Sequence, residues 1–171
     1  MTITEGLKEL KLIEKKLKKN KELLAKYSSQ PSNEKPYFGT EEEQRKEIKS
    51  ILQSSEDLVI RYTNLHGRIT RTNLKTVVQF NGEPYTIDSL LQIKRTLANL
   101  MIDIYKSLND NNYYNMISSY KTSSFQQNND LSLVRFYNEK DKQESIRKWE
   151  DFYNEIDSRL ETINATTNLI D

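Results

Sequence analysis

Residues 3–27 read ITEGLKELKLIEKKLKKNKELLAKY, and this stretch decides the fold because its apolar side chains recur every three or four positions. Thr4 is the expected N-cap, and the acidic Glu5 lies in the first turn, where the helix dipole favours a negative charge. A heptad-like seam runs along the segment at Ile3, Leu10, Ile13, Leu17, Leu24 and Tyr27. The spacing predicts a long amphipathic helix with a coiled-coil-like packing face.

One polar residue, Asn20, interrupts that seam. A buried amide at such a position lowers stability but fixes the register between packed helices. Alternatively, Asn20 lies at an end of the apolar stripe that is exposed to solvent. The sequence leaves both interpretations open.

The outer face of the same helix is basic, with eight lysines against four glutamates. Its most regular row consists of Lys8, Lys11, Lys15 and Lys18. Glutamates interleave this row and no aromatic side chains accompany it, so nucleic-acid bases have no stacking platform. A solvated face is favoured, docking onto an acidic protein is an alternative, and nucleic-acid binding is disfavoured.

A second helix is predicted after a connector. Residues 28–40 break the first helix, since Pro31 and Pro36 lie among small polar residues. Thr40, followed by Glu43 three positions later, has the pattern of a capping box. The apolar positions then keep helical spacing over Ile48, Ile51, Leu52, Leu58, Val59, Tyr62, Leu65 and Ile69.

A short hairpin is expected next, as an insertion at about residues 74–86. The dipeptide Asn81-Gly82 lies between two β-prone runs and is the strongest short signal for a two-residue hairpin turn. Thr86 can then cap a third helix, whose stripe is expected to form one buried face. That stripe consists of Ile87, Leu90, Leu91, Leu97, Leu100, Met101, Ile104 and Leu108.

The remaining sequence contains a polar stretch, a possible strand and a fourth helix. Residues 109–130 are rich in Asn, Ser and Gln, which predicts a loop with at most a short turn of helix. Residues 131–137 are expected to add a strand to the hairpin. Asn138, with Asp141 three positions later, begins the fourth helix, whose stripe is Ile146, Trp149, Phe152, Tyr153, Ile156, Leu160 and Ile163.

Four aromatic residues in the polar stretch are the candidate interaction site. They are Tyr113, Tyr114, Tyr120 and Phe125. No periodicity requires these side chains to be buried, and exposed aromatic side chains are typical anchors of protein contacts. The alternative is that they cover the end of the bundle.

These segments predict a mainly α protein with four long amphipathic helices in a bundle and a small antiparallel hairpin or three-stranded sheet. The length of 171 residues suits a single domain over residues 1–171. The chain has 26 basic and 25 acidic residues. Its net charge of +1 therefore gives no overall electrostatic attraction to nucleic acid or to an anionic membrane.

Several kinds of chemistry lack the residues they need. The chain has no cysteine, which excludes thiolate sites, and its one histidine, His66, cannot supply the two that a di-iron site of this kind needs. A Ser-His triad is disfavoured, because His66 is the only available base, lies late in the second helix beside Gly67, and no Gly-x-Ser-x-Gly turn is present. Its four glycines are isolated, which disfavours a phosphate-binding loop. The acidic residues at 41–47 are nearly consecutive, so on a helix their carboxylates point in different directions and do not converge on one metal ion. We therefore predict no enzyme activity, no metal site and no cofactor.

The sequence also bears on location and origin. No apolar run approaches the ~20 residues of a membrane span, and residues 1–6 lack the pattern of a signal peptide. A cytoplasmic location is expected. The abundance of residues with AT-rich codons indicates a low-GC bacterium or one of its phages.

The order of these motifs resembles the septicolysin-like family of small helical bacterial proteins. The resemblance rests on Ile69-Thr70-Arg71-Thr72-Asn73, Asn81-Gly82, Thr86-Ile87, the run Val134 to Tyr137 and the closing run Ile163 to Leu169. Thr70 and Ala165 replace an Asn and a Trp of the family's two runs. The resemblance implies a helical bundle with a small sheet and self-association, and it carries over no catalytic residue.

Thin apolar stripes on long helices leave much apolar surface for a short chain, and burial between subunits would offset a weak core. The leading hypothesis is a non-enzymatic structural or assembly protein that forms homo-oligomers and contacts other proteins, as a phage capsid, neck or tail component. The alternative is a bacterial cytosolic septicolysin-like protein that binds a small ligand or metal between its helices and hairpin. An enzyme that uses carboxylates alone ranks third.

Overall fold

The computed structural model describes residues 1–122 and 132–171, with the side chains of residues 1–119 and 132–171. It is mainly helical, with one two-stranded antiparallel sheet among these residues. The elements in chain order are α1 (Ile3–Tyr27), α2 (Glu41–Lys75), β1 (Val77–Phe80), β2 (Glu83–Thr86), α3 (Ile87–Gln92), a π-helical segment (Ile93–Leu97), α4 (Ala98–Lys106), α5 (Asn111–Thr122) and α6 (Glu139–Thr166). The chain divides into two compact units. The first unit consists of Met1–Asp88 with Glu161–Asp171, and the second unit of Ser89–Leu160.

Capping boxes begin α1 and α2. The Thr40 hydroxyl accepts a hydrogen bond from the Glu43 amide, and the Glu43 carboxylate accepts one from the Thr40 amide, which confirms the predicted start of α2. For α1 the predicted cap, Thr4, is wrong. Thr2 is the cap, because a capping box needs its acidic partner three residues later and Glu5 stands at that distance from Thr2.

The helices α1 and α2 pack against each other as an antiparallel pair in the first unit. Leu10 and Ile13 of α1 and Leu65 of α2 are among the buried residues of this unit. The Asn20 amide donates a 3.0 Å hydrogen bond to the Ser55 hydroxyl on α2. Asn20 therefore has a polar partner on the facing helix, which suits a residue that fixes register.

The two ends of the chain meet on the C-terminal half of α2, in an arrangement that we call the terminal clasp. Thr2 and Asn168 form an antiparallel bridge. The fully buried Thr72 hydroxyl accepts a 3.1 Å hydrogen bond from the Ile170 amide and donates one of 2.8 Å to the Arg68 carbonyl. Thr72 thus joins α2 to the C-terminal segment through a bond that only its hydroxyl provides.

Gly6 allows the close approach within the terminal clasp. A Cβ atom at this position would come within 3.2 Å of Cδ1 of both Ile69 and Leu169, which is tighter than ordinary contact. Because Gly6 has no side chain, α1, α2 and the C-terminal segment pack closely at this point.

The hairpin confirms the Asn-Gly prediction. Asn81 has φ 52° and Gly82 has φ 83°, so both turn residues occupy the left-handed region that a type I′ turn requires. The strands pair from Val77 opposite Thr86 to Phe80 opposite Glu83.

The predicted third strand is not formed. Residues 132–137 contain no strand, and Leu131, the first residue of the predicted run, lies outside the described residues. Arg135 and Tyr137 instead donate side-chain hydrogen bonds to Asp110, which directs this segment toward the start of α5 rather than into a sheet.

The predicted third helix is interrupted by the π-helical segment. A π turn holds one residue more than an α turn, so it shifts the phase of the helix. Leu90 is fully buried, whereas Leu97, about two turns further on, is 48% exposed and the next residue, Ala98, is fully buried. The prediction of a single buried face is therefore wrong beyond the π turn. Four residues that we call the outward stripe are exposed there: Leu97, Leu100, Ile104 and Leu108.

The predicted loop at 109–130 is wrong in its first half, because residues 111–122 form α5. Residues 123–130 lie outside the described residues. The Asn109 side-chain oxygen accepts a 2.9 Å hydrogen bond from the Asn111 amide, and the Asp110 carbonyl accepts one from the Tyr114 amide. This local capping starts a helix in a sequence whose Asn and Ser residues have weak helix propensity.

We predict that Thr72→Val lowers the free energy of unfolding by about 1–3 kcal/mol, because the Ile170 amide loses its acceptor in a buried site. Urea unfolding followed by circular dichroism measures the change. Thr63→Val is the matched control, since the exposed Thr63 hydroxyl donates to the Val59 carbonyl of its own helix and to no other residue that the structure describes. Equal losses in the two variants would contradict the role given to Thr72.

Candidate functional site

The second unit contains a cluster of hydrogen-bonded side chains around Asp110. Arg135 donates two hydrogen bonds to the Asp110 carboxylate, from Nε to Oδ1 at 2.9 Å and from Nη2 to Oδ2 at 2.5 Å. The Tyr137 hydroxyl donates a third, of 3.3 Å, to Oδ1. We call these three residues the Asp110 clamp. It ties the start of α5 to the segment before α6.

The electrostatics of the clamp favour the charged forms of both partners. The two hydrogen bonds from Arg135 lower the pKa of Asp110, and its positive charge and the Tyr137 hydroxyl act in the same direction. The same contact raises the pKa of Arg135. Two parallel hydrogen bonds between a guanidinium and a carboxylate also fix the geometry of the pair.

Phe136 lies between the two clamp residues Arg135 and Tyr137 and is 97% exposed. Because both of its neighbours bond to Asp110, the backbone on either side of the ring is held while the ring stays in water. Burial of a phenylalanine side chain in a contact is worth about 1.5–3 kcal/mol. An aromatic ring held in this way is typical of an anchor residue in a protein interface.

The structure places two of the four aromatic residues of the predicted interaction site, and their role in contacts stays a prediction. Tyr113 and Tyr114 lie on the first turn of α5, with ring centroids 5.4 Å apart and an edge-to-face orientation. Tyr114 is 61% exposed, and its amide donates a 3.2 Å hydrogen bond to the Asp110 carbonyl. The Tyr120 side chain and the whole of Phe125 lie outside the described parts of the chain.

Sequence reasoning missed Phe136 because it assigned the residue to a strand. The contact that fixes this segment joins Arg135 to Asp110, which is 25 positions earlier in the chain. The local signal was an aromatic residue between an arginine and a tyrosine. Unless Asp110 is known to be the partner of Arg135, that signal does not distinguish a strand from a loop fixed by side-chain hydrogen bonds.

The predicted basic row on α1 is exposed along its whole length. Its members are Lys8, Lys11, Lys15 and Lys18. Among the ion pairs formed by the described residues, none uses these four lysines. Docking of an acidic protein on this row stays a prediction.

Two features of the described ranges 1–122 and 132–171 bear on metal and membrane binding. Within them, no group of three His, Asp or Glu side chains lies close enough together to hold a metal ion. No helix in those ranges combines the length and apolar character that crossing a bilayer requires. His66 stacks on Tyr62, with ring centroids 6.1 Å apart.

We predict that the clamp persists to low pH and opens only in acid. The folded pKa of Asp110 lies below its unfolded value of about 3.9, so the clamp adds stability above that value and loses it as the pH falls through the lowered pKa. The Arg135 Hε resonance in an NMR titration should keep its hydrogen-bonded position down to about pH 4.

Two variants test this assignment. Asp110→Asn should shift the Arg135 Hε resonance at every pH, whereas Asp151→Asn, which removes an exposed carboxylate of α6, should titrate like the unmodified chain. A resonance that already moves between about pH 6 and 5 in the unmodified chain would contradict the clamp.

Comparison with known proteins gives a fold relationship. No protein-family model matches the sequence, and a search of curated proteins gives no match. The structure is similar to the crystal structure of a functionally unknown conserved protein from Corynebacterium diphtheriae, with a TM-score of 0.63 and 18% sequence identity. The similarity covers 99% of each chain. At this identity the comparison establishes a shared fold alone.

Proposed function

We propose that this chain is a non-enzymatic structural or assembly protein that self-associates and contacts other proteins through its second unit. The observation that carries the proposal is Phe136, an almost fully exposed ring between two residues of the Asp110 clamp. The exposed Tyr114, bonded to Asp110 through its amide, lies on the adjoining first turn of α5. Held aromatic rings contribute binding energy at a low cost in side-chain entropy.

Further apolar side chains in the second unit support the same proposal. At least a third of each is exposed: Leu97, Leu100, Ile104, Leu108, Tyr114, Met116, Val134 and Phe136. Single exposed apolar residues are common on any protein surface, and the first unit also exposes several, such as Leu12 and Ile60. In the second unit Leu97, Leu100, Ile104 and Leu108 recur every three or four residues and so share one face, which is typical of an interaction surface.

The proposal includes an architecture and a setting. The architecture is a bundle of four long amphipathic helices, counting α3, the π-helical segment and α4 as one. The setting is a phage particle, as a capsid, neck or tail component assembled in the bacterial cytoplasm. The composition, which implies AT-rich codons, fits a phage of a low-GC bacterium as well as the bacterium itself. Such a component needs contact surfaces rather than a reaction centre.

A second candidate is a bacterial protein, related to the septicolysin-like family, that binds a small ligand. It is favoured by a surface depression of about 560 Å³ in the first unit, lined mainly by α1 and α2 rather than by the hairpin. Arg61, Asn64 and Arg68 line it beside the acidic Glu9 and Asp57, and Arg61 pairs with Glu9. Under this candidate, inorganic phosphate should raise the melting temperature of a monomeric chain, and Arg61→Leu should abolish the rise. An oligomer whose melting temperature does not respond to phosphate would favour the assembly protein.

We predict that the purified chain has a mass above 20.2 kDa that grows with concentration, measured by light scattering. Phe136→Ala should remove species larger than a dimer, because the ring loses the apolar area that it would bury in the contact. Leu12→Ala, at an exposed leucine of the first unit, is the control and should leave the mass distribution unchanged. A strict monomer at all concentrations would contradict self-association.

A further inference from the structure

The helix that runs through α3, the π-helical segment and α4 is apolar on two adjacent faces. Ala98 and Ile102 form the buried face of α4, and the outward stripe forms the other. Leu100 is 51% exposed and Ile104 is 50% exposed. A helix with apolar side chains over more than half of its circumference is normally covered on both faces, and the second of these faces lies open in the monomer.

Two charged residues flank the outward stripe. Arg95 and Asp103 are exposed, and neither takes part in an ion pair between described residues. With about 100° per residue and the extra residue of the π turn, both lie on the side of the stripe away from Ala98. They are eight residues apart, or about 12 Å along the axis.

These charges complement each other in one arrangement of two copies. The midpoint between Arg95 and Asp103 is Asn99, which lies within about one turn of the centre of the stripe. If two stripes pack antiparallel about a two-fold axis near Asn99, Arg95 of each copy faces Asp103 of the other. A parallel pairing about a two-fold axis would instead place this flank of the two copies on opposite sides of the seam, so Arg95 and Asp103 would not face each other.

We infer that the outward stripe is the surface on which a second copy of this chain docks, antiparallel and across a two-fold axis. This inference rests on the proposed self-association and names its first contact. Leu97, Leu100 and Ile104 form the apolar seam, and the Arg95 to Asp103 pairs on its flank set the orientation. A two-fold contact uses the same surface of both copies, so it joins two copies and no more. Larger assemblies therefore need another surface, such as the ring of Phe136.

The charge pairs give a direct test by sedimentation equilibrium. Arg95→Glu and Asp103→Arg each place two like-charged pairs across the axis, and each should raise the dimer dissociation constant on the order of tenfold. The double variant restores opposite charges and should return the constant to near that of the unmodified chain. Two weakened single variants without recovery in the double variant would overturn the antiparallel arrangement.

The apolar seam is tested by Leu100→Lys, which should raise the dissociation constant more than about tenfold. The matched control is Val59→Lys, since Val59 on α2 is also 51% exposed and should leave the constant unchanged. Circular dichroism confirms that both variants keep their helices. If Leu100→Lys is folded and dimerises normally, the stripe is not the interface, although self-association survives. If the unmodified chain never dimerises, both proposals fail.

Discussion

The first unit depends on the terminal clasp, in which both ends of the chain are held on the C-terminal half of α2. The bond from the Ile170 amide to Thr72 lies in a fully buried site, so few alternative partners exist there. Gly6 brings the backbone of α1 close to Leu169. These contacts lie among the buried aliphatic side chains of the first unit, which include Ile3, Ile69 and Leu169.

Features set by neighbouring residues could be predicted from the sequence. The capping box of α2, the turn at Asn81-Gly82 and the start of α6 at Asn138 each follow from residues within a few positions of one another. The start of α1 was misplaced by two residues, because two threonines precede Glu5 and only the spacing of the capping box separates them. Local chemistry therefore determines where α2 and α6 begin.

Features set by distant residues could not be predicted. The Asp110 clamp joins positions 25 apart, and the bond between Thr72 and Ile170 joins positions 98 apart. No short pattern encodes either contact. For the same reason Tyr114 could be named as a candidate from its polar surroundings, whereas Phe136 became a candidate only once the partner of Arg135 was known.

The π turn at residues 93–97 determines which side of α4 faces solvent. A regular α-helix of the same residues would turn everything downstream by about 100°. The line of Leu97 would then return toward the core, and a polar line would replace it in solvent. Because the π turn takes up one residue more than an α turn, deleting one residue there would restore the regular helix and leave the outward stripe on the same face.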